Sequence, residues 1–81
     1  MKIYGYSNNV DTEKGPLEMS EISFCADPED LRVVALFLSQ RADEMDNHSG
    51  FGHSHLRDSW KDWSDDFPDV IVLKPSMESA K

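Results

Sequence analysis

The chain has 81 residues, of which 38% are apolar and eight are aromatic, and its 16 Asp and Glu against eight Lys and Arg give a formal net charge of −8. A chain this short buries only roughly 60% of the surface its unfolded form exposes, so one modest core is expected and a deep catalytic cleft is disfavoured. The negative field repels nucleic acid and anionic lipid and speeds encounter with a basic protein, although acidity by itself also serves plain solubility.

Lys2 to Ser7 carries Ile3, Tyr4 and Tyr6, which suit a pleated surface, and runs into the turn-formers Ser7-Asn8-Asn9. A first strand is predicted there. Asp11 to Pro16 reads as a charged connection. From Leu17 to Ala26 the chain alternates, with Ile22, Phe24 and Ala26 on one face and Glu21, Ser23 and Cys25 on the other. Leu17 and Met19 are out of phase with that pattern, which predicts a bulge or late strand start near Ser20. The two strands are expected to pair as an antiparallel hairpin.

Asp27-Pro28-Glu29-Asp30 is a helix start: an acceptor at the cap, proline at the first helical position, and carboxylates at the positive end of the dipole. The helix that follows shows Leu31, Val34, Ala35, Leu38, Ala42 and Met45 at three- and four-residue spacing, widened by Phe37. Those residues are expected inside, leaving Glu29, Arg32, Gln40, Asp43 and Glu44 outside. Asn47 and Gly50 offer ways to stop the helix. A third strand is predicted around His53-Ser54-His55-Leu56-Arg57. A short helical turn from near Ser59, or else an extended loop, would carry Trp60, Trp63 and Phe67. Asp69-Val70-Ile71-Val72-Leu73 reads as a buried last strand between Pro68 and Pro75. The expected fold is α+β, in the order β-β-α-β-β: one small antiparallel or mixed sheet with the long helix across one face. Residues 1–75 are expected to form the domain and 76–81 a flexible tail.

Cys25 is the only cysteine, so no internal disulfide can form, and its carboxylate neighbours favour a structural thiol over a reactive one. The start of the chain lacks the apolar run of a signal peptide, and no stretch approaches a membrane span. A cytoplasmic location is the expectation. His53 and His55 are two apart, which on a strand puts both imidazoles on one face, the spacing of a metal pair. Two histidines without a defined third ligand are more often ordinary cross-strand contacts. No nucleophile with a base, oxyanion cradle or cofactor loop is recognisable; Gly50-Phe51-Gly52 only begins a dinucleotide fingerprint, with His55 in place of its third glycine. Neither enzyme activity nor a cofactor is expected. Asp58, Asp62, Asp65, Asp66 and Asp69, interleaved with Trp60, Trp63 and Phe67, form the best candidate surface, supported by Asp43 and Glu44 on the helix. The tryptophans are more often core in so small a chain.

Ile3-Tyr4-Gly5-Tyr6-Ser7, Glu21-Ile22-Ser23-Phe24, the Asp27-Pro28 helix with Leu31 and Phe37-Leu38, His53-Ser54-His55-Leu56 and Asp69-Val70-Ile71-Val72 together resemble the immunity protein 32 family of bacterial polymorphic toxin systems. The resemblance spans most of the chain. It implies an α+β cytosolic protein that protects its producer by binding and blocking a cognate toxin. A basic nuclease domain is the toxin that the acidity fits best, since an acidic inhibitor can imitate the nucleic acid in its site. The expected partner is therefore protein, with no nucleic acid or membrane, and the chain itself a monomer or weak homodimer. Two alternatives stand beside this reading. One is a small metal-binding protein using His53 and His55, and the other a regulatory interaction protein with no toxin.

Overall fold

A computed structural model describes residues 1–7, 17–48 and 50–75. The elements run β1 (Lys2–Ser7), β2 (Met19–Cys25), α1 (Pro28–Asn47), β3 (His53–His55), α2 (Leu56–Ser59) and β4 (Ile71–Leu73). The α+β class and the β-β-α-β-β order are as expected, with α2 as one added helical turn. The turn at Asn8-Asn9, the Asp11 to Pro16 connection and the tail from Ser76 lie outside the described residues.

β1 and β2 pair antiparallel, Ile3 opposite Phe24 and Gly5 opposite Ile22, so the apolar residues share one face. The register slips between Tyr6, opposite Glu21, and Ser7, opposite Met19, which leaves Ser20 as the extra residue. Its hydroxyl donates to Tyr6 O at 2.9 Å and fastens the bulge. Gly5 is required here: a Cβ would come within 2.8 Å of Glu21 O and run into the Met19 methyl.

The four strands do not join into a single sheet. β3 and β4 form a second antiparallel ribbon, His53 opposite Leu73 and His55 opposite Ile71. β3 is cut short where the chain coils into α2, and Pro68 and Pro75 bracket β4, so the three-residue strands offer too few backbone groups to dock the hairpin as further strands. The ribbon is completed at its ends by Leu56 N–H to Val70 O at 2.7 Å and Lys74 N–H to Gly52 O at 3.0 Å.

α1 begins as its sequence dictates, with Pro28 in the first turn beside Glu29 and Asp30, but the Asp27 side chain makes no capping bond; its carbonyl accepts from Leu31 N–H at 3.0 Å. At the other end the Asn47 side chain donates to Asp43 O at 2.9 Å. The buried face of α1 is narrower than expected and lies at one edge of the predicted stripe. Val34 and Phe37 are buried, whereas Leu31, Ala35, Leu38 and Ala42 are exposed and Met45 is half-buried. The reason is what α1 meets: the core is Val34, Phe37, Leu56 and Trp63, flanked by Met1, Val33, Phe67, Val70 and Val72, and all but Met1 come from α1 and the second ribbon with its loop. The final strand is likewise half-buried, with Val70 and Val72 inward while Ile71 and Leu73 are exposed.

Candidate functional site

The stretch from Leu56 to Pro68 is built around one nail. Trp63 is buried and its indole N–H donates to Pro68 O at 2.9 Å, while Phe67 meets it edge-on with ring centroids 5.2 Å apart. Trp60 N–H closes α2 on Leu56 O, and Trp63 N–H returns to Trp60 O at 3.1 Å as one turn. Phe67 N–H to Ser64 O at 3.1 Å makes the next, with the Ser64 hydroxyl accepting from Asp66 N–H. The helical turn therefore ends where one from Ser59 was expected to begin.

These turns decide where the acidic residues go. Asp62, Asp65 and Asp66 occupy turn corners and Asp58 the outer side of α2, and all four are exposed. None of the four is in an ion pair among the described residues. Trp60 stands among them 37% exposed, so one tryptophan is core and the other is partly presented to solvent.

Asp69 and Glu44 are placed differently. Asp69 Oδ1 accepts Arg57 N–H at 3.0 Å and Oδ2 lies 2.7 Å from His55 Nδ1; an ionised carboxylate only accepts, so Nδ1 carries the proton. Burial works against ionisation of Asp69, but the Arg57 N–H, the His55 hydrogen bond and the charges of His55 and Arg57 outweigh it and hold the carboxyl below the usual carboxylate range. Arg57 also donates to Phe67 O at 2.7 Å, so the loop's two ends are tied together. Glu44 pairs with Arg41, Nε to Oε1 at 3.2 Å but without hydrogen-bond alignment. Asp43 is exposed on the same helix. Glu44 also lines a hollow of about 520 Å³ with Asn47, His48, Gly50 and Phe51.

Arg41 escapes sequence reasoning, although an arginine four residues after Phe37 and three before Glu44 was a usable signal. It lies over the Phe37 ring at 5.2 Å and reaches the hydroxyls of Ser59 at 3.2 Å and Ser54 at 3.5 Å, joining α1 to β3 and α2. His53 and His55 do share a face, with ring centroids 5.2 Å apart and edge to face. No group of three or more metal-ligating side chains gathers there or elsewhere among the described residues. No helix among them is long and apolar enough to cross a membrane.

Comparison with curated proteins and with solved structures yields no match. The sequence profile of immunity protein 32 matches residues 21–75, about two thirds of the chain, running from within β2 through α1 to β4 and covering the segment that supplies most of the core and the acidic loop. The chain belongs to the immunity protein 32 family.

Proposed function

We propose that this protein neutralises a cognate toxin by direct binding, laying the Asp58 to Asp66 loop against a basic surface of the toxin with Trp60 as the apolar anchor. Family membership supports a toxin as the protein partner. The observation that carries the surface assignment is a loop pinned by Trp63 and Pro68 that keeps four carboxylates and part of an indole exposed. A pre-shaped loop loses little freedom on binding, and clustered carboxylates pair well with Arg and Lys. Asp43 and the paired Glu44 add carboxylates on α1, while Asp69 serves by fastening the loop. The function is occlusion, and the toxin that a net charge of −8 suits best is a basic nuclease domain.

The test is titration calorimetry against the cognate toxin domain, at low and high salt. Affinity is expected to fall as salt rises, and Asp62→Asn, Asp65→Asn and Asp66→Asn combined to weaken binding by roughly tenfold or more. Binding indifferent to both would remove the loop from the interface.

A further inference from the structure

α1 carries an apolar seam that the described elements leave largely uncovered. Leu31, Ala35, Leu38, Ala42 and Met45 follow one another at intervals of four, three, four and three residues, the repeat of a coiled-coil seam. Leu31 is 40% and Leu38 42% exposed, Ala35 and Ala42 are exposed, and Met45 is half-buried. Alternating large and small residues let two helix backbones approach closely.

The seam is self-complementary in one direction. With two copies of α1 antiparallel, Leu38 meets Leu38 at the two-fold axis, Ala35 faces Ala42, and Leu31 faces Met45. Arg32 and Asp46 flank the seam on the same side, both exposed, and neither makes an ion pair among the described residues. The antiparallel pairing brings Arg32 of each copy to Asp46 of the other, whereas a parallel pairing puts the two copies' matching flanks on opposite sides of the seam and leaves both charges unpaired across it.

Twelve large apolar side chains among the described residues are exposed, against four in the core.

We propose that the protein is a homodimer, joined by antiparallel pairing of α1 with α1 of a second copy. Sedimentation equilibrium of the full chain at 1 to 100 μM is expected to give twice the 9.2 kDa chain mass. Leu38→Glu, which sets two carboxylates face to face on the axis, should shift the protein to monomer. Since a monomer with so small a core can fail to fold, a surface charge exchange is the second arm. Arg32→Asp should weaken the dimer roughly fivefold, and adding Asp46→Arg should restore it. Leu38→Cys in a Cys25→Ser background should oxidise to a covalent dimer, and Arg32→Cys should not. A chain that stays monomeric at 100 μM overturns the proposal, as does a dimer that keeps its affinity in Leu38→Glu and in Arg32→Asp.

Discussion

Asp69 spends both of its oxygens inside its own chain, on the Arg57 N–H and on His55, and that is what brings the end of the acidic loop back to its beginning. Its carboxyl is held below the usual range, so its folded value lies below the unfolded value of about 3.9. The stabilisation it supplies is therefore complete above the unfolded value and is lost as pH falls through the folded one. Melting temperature followed by circular dichroism should decline below about pH 4, and Asp69→Asn should lower it at pH 7 while flattening the acid decline. An unchanged acid limb in that variant would remove Asp69 from this role. In the sequence Asp69 was one aspartate in a series of five. Nothing local tells that it faces a histidine 14 residues away, because that pairing depends on how β3 and β4 meet.

At the scale of the element, the boundaries of β1, the Ser20 bulge and the start of α1 were legible because each rests on neighbours in sequence: alternation, a break in phase, a proline after an aspartate. Which part of the apolar stripe of α1 is covered was not. Two apolar stripes overlap on this helix, one through Leu31, Leu38 and Met45, the other through Val34 and Phe37, and periodicity alone puts both inside. Tertiary contact selects the second because Leu56 and Trp63 arrive there. Leu56 is the hinge of that choice, fully buried where β3 becomes α2. Leu56→Ala should cost about 2–5 kcal/mol in denaturant unfolding, enough in a core of four residues to populate the unfolded chain at 37 °C. A loss below 1 kcal/mol would show that the core closes without it.

For the whole molecule, charge and class were readable, and compactness was not. The radius of gyration is 14.1 Å, against roughly 12 Å for a compact chain of this length, and the extents of 35 × 31 × 18 Å describe a plate. Of the eight aromatics, Tyr4, Tyr6 and Phe24 are exposed on the hairpin and Trp60 on the loop. A two-stranded ribbon standing alone is marginal in water, so the hairpin's apolar face is further surface that association would protect. The separation into two ribbons is a consequence of three-residue strands, which residue types alone do not reveal.

The turns that carry Asp62, Asp65 and Asp66 are closed by backbone bonds and hung from Trp63, and none of the three corner carboxylates supports the turn that displays it. Their identity is thereby uncoupled from folding. Replacing all three with lysine should shift the melting temperature by no more than about 10 °C, since exposed substitutions of this kind typically change stability by no more than about 0.5 kcal/mol each, and on the proposed interface it should abolish binding to a basic toxin surface. On the proposed interface, the corners are then free to change with the partner while the same frame is kept beneath.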